Sequence, residues 1–278
     1  MSTSTDPAQL RSRAAVPIRA AALDVGYGDH RVLTGVDFAL LPGELTVVLG
    51  PNACGKSTLL KALARVLAPE AGSIWLDGAD IRSLKSKEIA RRLGLLPQQS
   101  NSPGDITVAD LVARGRYPHQ GLLHQWSESD ERAVDEALAA ASIAELAARP
   151  VHALSGGQRQ RVWIAMVLAQ QTDILMLDEP TTYLDITHQI EVLDLAADLQ
   201  RQGRTVLVVL HDLNLAFRYA THIVLMREGR IVAQGRPNDI VTAEAIEAVF
   251  GLRSRIIPDP ETGTPLVVPL AHRRPVGH

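Results

Sequence analysis

An eight-residue run reads Gly50-Pro51-Asn52-Ala53-Cys54-Gly55-Lys56-Ser57, which fits the pattern GxxxxGK[ST] without a gap. The residues before it, Leu45 to Leu49, are almost wholly apolar, as in a strand buried in a parallel sheet. A helix-like stretch begins at the last residue of the run, Ser57, and continues to Ala64. Glycines in such a strand–loop–helix unit let backbone N–H groups turn inward around phosphate oxygens. The run therefore predicts a phosphate-binding loop.

Two side chains of this loop carry specific predicted roles. Lys56 is expected to reach the β- and γ-phosphates of a nucleotide, and the Ser57 hydroxyl is expected to ligate Mg²⁺. We place the whole run and the next residue, Thr58, in the predicted nucleotide site. An ordinary glycine-rich turn is the competing interpretation, and the position of the run between a buried strand and a helix argues against it.

The same order of apolar strand, turn and helix recurs twice further along the chain. Ile174 to Leu177 runs into Asp178-Glu179, and Thr205 to Leu210 runs into His211. Alternating strands and helices predict an α/β fold with polar chemistry at the carboxyl ends of the strands. Asp178 is expected to hold Mg²⁺, and Glu179 to polarise the attacking water as general base. His211 would donate to a γ-phosphate or orient water, although a purely structural hydrogen bond is the alternative.

The remaining segments predict three further parts of the chain. Residues 1–16 are polar and rich in Ser, Thr and Arg, which is typical of a flexible N-terminal tail. Arg19 to Leu40 carries two strand-like stretches, which indicate a small antiparallel sheet. Residues from about 100 to 170 show helix-like stretches and no strand pattern, so we expect an α-helical lobe inserted in the α/β core.

Composition and charge narrow the class of protein. A net charge of −3 argues against a dedicated nucleic-acid binder, which usually carries a basic excess. One cysteine excludes an internal disulfide. The N-terminus lacks the apolar core of a secretory signal, and no apolar run approaches the roughly 18 residues of a membrane-spanning helix. Any work on a membrane is therefore expected to go through a separate partner chain.

The run Leu154-Ser155-Gly156-Gly157-Gln158 identifies a family. Ser155 is a good N-cap for a helix beginning near Gly157, and that helix end is a second anion site. The run is the LSGGQ motif of ABC (ATP-binding-cassette) ATPases, which the chain resembles over nearly its whole length. The resemblance implies a P-loop NTPase ABC ATPase fold with a RecA-like parallel-sheet core, a small antiparallel β-subdomain and an inserted α-helical subdomain. The implied ABC ATPase domain spans 17–253, with the helical subdomain at about 100–170 and a C-terminal extension at 254–278.

The resemblance also assigns roles to individual residues. Tyr27 resembles the aromatic residue that stacks on adenine, and Gln98 the Q-loop glutamine that touches Mg²⁺ and the attacking water. Asp185 falls in the D-loop, and His211 matches the switch histidine. The cofactors implied are ATP and Mg²⁺. The implied catalytic residues are Lys56, Gln98, Glu179 and His211; the implied metal ligands are Ser57, Gln98 and Asp178; the implied nucleotide contacts are the phosphate loop, Tyr27, Asp185, Ser155, Gly156, Gly157 and Gln158.

The partners of the chain follow from the same resemblance. In this family the LSGGQ motif of one subunit closes over ATP held by the phosphate loop of the other, which implies a head-to-tail homodimer. Two integral-membrane permease subunits are expected to dock on the helical lobe near Gln98, and a substrate-binding protein to act indirectly. The implied location is peripheral, at the cytoplasmic face of the inner membrane, and no nucleic-acid partner is expected.

Within the family, the chain is similar to the ATPases of ferric siderophore importers, especially the catecholate (ferric enterobactin) type. This similarity rests on Ala113 to Gln120, Trp163 to Gln170, Leu184 to Ile190 and Gly263 to Leu270. ATPases of cobalamin, haem and other metal-chelate importers are closely related, so these cargoes stay open. A soluble ABC protein of DNA repair or translation would carry heptads or a second LSGGQ, and a GTPase would carry an NKxD-like motif. The sequence contains none of these features.

Two residues depart from the family pattern. Ala53 stands where many relatives have glycine, which an alanine tolerates if the local φ is negative. Tyr183 is bulky where many ABC ATPases have a small residue, which bears on packing at the expected dimer interface.

Overall fold

The structure is a computed structural model, and it describes residues 16–98, 104–121, 126–182 and 184–270. The predicted tail (except Val16), Tyr183, parts of the predicted helical lobe and the end of the predicted C-terminal extension lie outside the described residues, namely 1–15, 183, 99–103, 122–125 and 271–278. Among the helices of the described residues, none combines the length and apolar character that crossing a membrane requires.

The described residues contain twelve strands: β1 (Ile18–Tyr27), β2 (His30–Leu40), β3 (Leu45–Leu49), β4 (Ala71–Leu76), β5 (Ala79–Asp80), β6 (Leu93–Leu96), β7 (Ile174–Asp178), β8 (Thr205–Val209), β9 (His222–Arg227), β10 (Arg230–Gly235), β11 (Ser254–Pro258) and β12 (Pro265–Pro269). They also contain nine α-helices: α1 (Lys56–Leu63), α2 (Ser86–Ala90), α3 (Val108–Ala113), α4 (Glu128–Ala140), α5 (Gly156–Leu168), α6 (Ile186–Arg201), α7 (Leu213–Tyr219), α8 (Pro237–Ile240) and α9 (Ala243–Phe250).

A six-stranded sheet in the order β10-β9-β3-β8-β7-β6 forms the centre of the fold. Its strands from β9 to β6 pair in parallel, and β10 is an antiparallel edge. Both faces of this sheet are buried, because Leu45, Val47 and Leu49 pack with α3 to α7, whereas Val48 packs with α1 and the antiparallel sheet. Successive strand residues point to opposite faces, so burial on both sides requires the continuous apolar runs seen in the sequence.

A second, four-stranded antiparallel sheet has the order β2-β1-β4-β5. The strands β1 and β2 pair from Ile18↔Leu40 to Tyr27↔His30, which confirms the antiparallel pair predicted from this part of the sequence. The sheet packs on one side of the central sheet through a shared apolar cluster that includes Leu33 and Leu59. It therefore lies beside the residues that open α1.

Three helices, α3, α4 and α5, lie between β6 and β7 in the chain and contact one another. A buried ion pair joins this group, because Arg116 Nε donates to Asp130 Oδ1 at 2.8 Å and both side chains are at most 6% exposed. Arg116 also donates to the Ala169 carbonyl and to Gln171 Oε1. Hydrogen bonds from Ser127 and then Arg116 lower the pKa of Asp130 to about 2.

Helix α6 buries the face that its sequence indicates only beyond its first turn. The spacing of Ile186, Ile190, Leu193 and Ala197 predicts one apolar stripe. In the structure Ile186 is 59% exposed, and the buried residues of α6 are Val192, Leu193, Ala196 and Leu199. The prediction was wrong in the first turn, because Asp185 caps the helix at the surface before the chain turns inward.

The C-terminal hairpin β11–β12 is attached to helix α7 by polar contacts. The Asn214 side chain accepts from the Val267 N–H at 2.8 Å and donates to the Val267 carbonyl at 3.3 Å. Arg218 donates to Asp259 Oδ2 at 2.7 Å and lowers the pKa of that carboxyl to about 2. Two polar side chains of α7, the helix that follows His211, thus hold the hairpin in place.

Candidate active site

Functional side chains meet at the carboxyl ends of four neighbouring strands. The phosphate loop follows β3, Gln98 follows β6, Glu179 follows β7 and His211 follows β8. Parallel strands place their carboxyl ends at one edge of a sheet, where ligand sites of α/β proteins form. A cleft of about 820 Å³ lies at this edge; its lining includes Asn52, Ala53, Cys54, Gly55, Lys56, Ser57, Thr58, Gln98, Glu179, Thr182 and His211.

The phosphate loop wraps around the amine of its own lysine. Lys56 Nζ donates to the Gly50 carbonyl at 2.8 Å and to the Pro51 carbonyl at 2.9 Å. Lys56 is 5% exposed, so this ammonium group is held inside the loop by carbonyl oxygens. Gly55 caps α1 with φ of 104°, a backbone conformation that favours glycine. The loop therefore presents a positive charge and a helix N-terminus at the cleft.

The backbone at Ala53 does not have the negative φ that an alanine tolerates without strain. Ala53 has φ of +59°, in the left-handed region. A left-handed conformation costs an alanine roughly 1–2 kcal/mol. The next residue is held by two backbone hydrogen bonds, from the Cys54 N–H to the Pro51 carbonyl and from the Gly229 N–H to the Cys54 carbonyl, which keep the loop in this shape.

Cys54 is 5% exposed and lies in this loop. Burial raises the pKa of its thiol, against an opposing effect from the Lys56 charge. At neutral pH the sulfur is therefore mostly a thiol, which packs as a small apolar group.

A serine and a carboxylate form the predicted cation site. Ser57 Oγ donates to Asp178 Oδ1 at 2.8 Å, across the gap between α1 and β7. Asp178 is 2% exposed, and burial raises the pKa of its carboxyl, with the hydrogen bond from Ser57 acting in the opposite direction. Hydroxyl and carboxylate oxygens are the ligands that Mg²⁺ prefers, and a cation would compensate the buried charge of Asp178. The residues present therefore fit this ion.

The Glu179 carboxylate is held by three other side chains of the cleft. Its Oε2 accepts from Gln98 Nε2 at 2.7 Å and from Thr182 Oγ1 at 3.2 Å. Its Oε1 lies 2.7 Å from His211 Nε2. Glu179 also has φ of +53° and precedes Pro180, which disfavours the ordinary helical conformation. Such a backbone costs of order 1–3 kcal/mol and is kept where the surroundings fix a functional side chain.

The structure adds residues that the sequence did not single out. Thr182 donates to Glu179, and a threonine three residues after a turn-forming carboxylate is a signal that could have identified it. His30 and Val32, at the start of β2, line the same cleft. They come from the antiparallel sheet, and only the packing of that sheet beside α1 brings them there.

Other predicted nucleotide contacts lie elsewhere on the chain. Tyr27 ends β1 and is 49% exposed, and it does not line the cleft among the described residues. Asp185 caps α6 and accepts from His188 Nδ1 at 2.7 Å.

The predicted second anion site belongs to α5. Ser155 is confirmed as the N-cap, and it forms a capping box with Gln158, with the helix beginning at Gly156. Ser155 and Gly156 are exposed, and the whole run lies away from the cleft lining. One chain thus carries two helix N-termini suited to binding phosphate, those of α1 and α5, and only the first lies at the cleft.

Cleft geometry and sheet topology together define a P-loop ATPase of the ABC type. The family model for the ABC transporter matches residues 33–182. The ferric enterobactin transport ATP-binding protein FepC of Escherichia coli (strain K12) is 56% identical, over 93% of this chain and 96% of its own length. The petrobactin import ATP-binding protein FpuD of Bacillus anthracis is 52% identical, over 89% of this chain and 91% of its own length.

A solved structure shares the fold. The dimeric structure of MJ0796, a bacterial ABC transporter cassette, superposes with a TM-score of 0.71 at 27% identity, covering 79% of this chain and 98% of that chain. The chain belongs to the ABC transporter family, as one of its ATP-binding ATPases. This confirms the resemblance and the fold class indicated by the sequence.

Proposed function

We propose that this chain binds and hydrolyses ATP as the energy-supplying subunit of an importer for a ferric siderophore. The observation that carries this proposal is the Glu179 carboxylate, held between Gln98 and His211 in the cleft that also contains Lys56. A carboxylate fixed in this way is positioned as a general base for water, which contributes about 10²- to 10⁴-fold to a rate.

Each group of the cleft has one proposed task. The loop amides and Lys56 bind the β- and γ-phosphates, and Lys56 exchanges its Gly50 and Pro51 carbonyls for phosphate oxygens. Ser57 and Asp178 would hold Mg²⁺, which supplies charge neutralisation on the phosphates when bound. Glu179 takes the proton of the attacking water, and Gln98 orients that carboxylate. His211 leaves Glu179 Oε1 to donate to the γ-phosphate.

The site is proposed to be completed by a second copy of the chain. Ser155, Gly156, Gly157 and Gln158 form a helix end away from the cleft, at which Ser155 and Gly156 are exposed. Asp185, the N-cap of α6, is also exposed. These groups would reach the nucleotide of a partner subunit in a head-to-tail homodimer. The dimeric form of the MJ0796 cassette supports this arrangement.

Membrane coupling is proposed to occur on the α3–α5 helices. Two permease subunits would dock there, which places the chain at the cytoplasmic face of the membrane, and a substrate-binding protein would act through them. Tyr117, 65% exposed, and Trp126, 49% exposed, line a groove on this side together with Arg114. Exposed aromatic side chains and arginine are enriched in protein interfaces.

The siderophore cargo rests on the names of the relatives. FepC is a ferric enterobactin transport ATP-binding protein and FpuD a petrobactin import ATP-binding protein. The ATPase does not contact the cargo, so its cleft does not distinguish a siderophore from cobalamin or haem.

The test is deletion of the gene in its own host, followed by uptake of radioactive iron under iron limitation. Ferric-catecholate uptake should be lost and restored by the wild-type gene but not by Glu179→Gln. If ferric-catecholate uptake stays intact and cobalamin or haem uptake is lost, the siderophore assignment is wrong and the lost compound is the cargo. Purified wild-type chain that neither binds nor hydrolyses ATP, alone or with its membrane partners, would refute the ATPase function.

A further inference from the structure

The turn between β9 and β10 contacts the back of the phosphate loop. Its central residues are Glu228 and Gly229, with φ of +49° and +74°, between the paired residues Arg227 and Arg230. Two positive φ values are the feature of a type I′ hairpin turn, in which glycine is favoured. A side chain at Gly229 would bring its Cβ to 2.1 Å from the Val32 carbonyl oxygen. The position thus requires glycine both for its φ and for its contact.

Both backbone groups of Gly229 are used to connect separate elements. Its N–H donates to the Cys54 carbonyl at 3.1 Å, and its carbonyl accepts from the Thr34 N–H at 3.1 Å. One residue thereby joins the phosphate loop, the central sheet and the antiparallel sheet.

The contact with Cys54 determines where the next amide points. A trans peptide is planar, so the carbonyl of Cys54 and the N–H of Gly55 point in opposite directions. Fixing the carbonyl toward Gly229 therefore turns the Gly55 N–H away from the turn, and both Cys54 and Gly55 line the cleft. When the Gly55 N–H is aimed at phosphate, the Cys54 carbonyl of the same peptide needs a hydrogen-bond donor on the outer side of the loop.

We propose that Gly229 is a positioning residue for ATP binding: its N–H holds the Cys54–Gly55 peptide in the orientation that directs the Gly55 N–H toward the phosphates. This inference rests on the proposed ATP site. The turn never touches the nucleotide and acts only through the loop. It also explains how the antiparallel sheet, through Thr34, supports the loop from outside.

The experiment compares Gly229→Ala with a matched control, Gly263→Ala. Gly263 has φ of +71°, close to that of Gly229, and an added Cβ there meets nothing within 4 Å. Both variants carry a similar backbone cost, and only Gly229→Ala places a Cβ against the Val32 carbonyl, which must shift the turn whose N–H donates to Cys54. ATP and ADP affinities are measured by calorimetric titration of the full chain, well below each unfolding midpoint.

Gly229→Ala should weaken ATP binding at least about 10-fold, since one anion-binding amide is lost. Its KM should rise while kcat at saturating ATP stays close to wild type, because the Glu179 cluster lies on other strands. Gly263→Ala should bind ATP as wild type does. Unchanged affinity in Gly229→Ala would overturn the inference and leave the proposed function intact, whereas a wild-type chain that binds no ATP would sink the proposed function itself.

A second measurement covers the case in which Gly229→Ala does not fold. Amide hydrogen exchange of the wild-type chain is followed with and without ADP. The Gly229 amide should become at least about fivefold more protected with ADP, since an occupied loop breaks its Cys54 contact less often. The Gly263 amide serves as the reference. Equal protection of Gly229 in both states would overturn the inference.

Discussion

At the scale of single residues, Glu179 offers the sharpest test of the site. Glu179→Gln keeps the size of the side chain and an oxygen to accept from Gln98, so the cleft should keep its shape. The base is lost, and ATP hydrolysis should fall by at least about 10²-fold with ATP affinity little changed. Turnover assays and nucleotide titrations measure the two effects separately. A variant with near wild-type turnover would exclude Glu179 as the base.

Cys54 yields a prediction about pH. Because burial raises the pKa of this thiol, little thiolate exists at neutral pH, and modification by a thiol reagent should be slow there and accelerate as the pH rises. ATP should protect the thiol, since Cys54 lines the cleft. Mass spectrometry gives the labelling rate, with Cys54→Ala as the blank. Rapid labelling at pH 7 that ATP does not slow would contradict this placement.

How far the sequence predicts the site also differs from residue to residue. The gap-free loop motif and the strand-end positions of Asp178, Glu179 and His211 were enough to place them, because parallel strands gather their carboxyl ends. The sequence left the sign of φ at Ala53 open; it is +59° in a loop that is held from outside by the hydrogen bond between the Gly229 N–H and the Cys54 carbonyl. Such a contact joins residues far apart in the chain and leaves no local pattern.

At the scale of secondary-structure elements, the ion pair of Arg116 and Asp130 is expected to hold the α3–α5 group together. Asp130→Asn leaves the buried Arg116 charge without its carboxylate and should destabilise the fold by about 3 kcal/mol. Asp80→Asn is the matched control, because Asp80 pairs with Arg82 at the surface and should change the unfolding midpoint little. Thermal unfolding compares the two. Equal midpoints would show that the buried pair does not stabilise the group.

The same ion pair makes the free energy of unfolding depend on pH. The pKa of Asp130 in the folded chain, about 2, lies below the value near 4 of an unfolded carboxyl. Its contribution is therefore complete above about pH 4 and is lost as the pH falls toward 2. Wild type should lose stability over this window more steeply than Asp130→Asn.

Strands and helices were predicted unevenly. The strands β3, β7 and β8 could be predicted from their apolar runs, because both faces of the sheet are buried. The start of α5 was predicted within one residue of its position. The hairpin β11–β12 was not predicted. The hairpin is attached to α7 by the Asn214 side chain and buries Val267 in the core, and one polar partner with one buried residue gives no periodicity in the sequence.

At the scale of the whole molecule, the separation of the cleft from Ser155 predicts that two inactive chains can restore each other. Lys56→Ala disables a phosphate loop, and Ser155→Phe blocks the exposed end of α5. Each variant alone should be inactive. In a head-to-tail dimer of one of each, one site has both halves intact, so an equal mixture should recover about a quarter of wild-type turnover.

Light scattering on the same mixture with Mg-ATP confirms whether dimers form. A mixture of the two variants in which each is given an additional Glu179→Gln substitution is the control for contaminating activity. No recovery in a mixture that does dimerise would show that each chain works with its own Ser155.

The Gly229–Cys54 contact has a consequence for the order in which a newly made chain matures. The phosphate loop leaves the ribosome early, but the glycine that holds its peptide comes about 175 residues later, after β8 and β9 have been synthesised. A nascent chain therefore contains the complete phosphate loop long before it can bind a nucleotide tightly. Tight ATP binding would signal that translation has passed the second half of the domain, and shortened products would not sequester ATP.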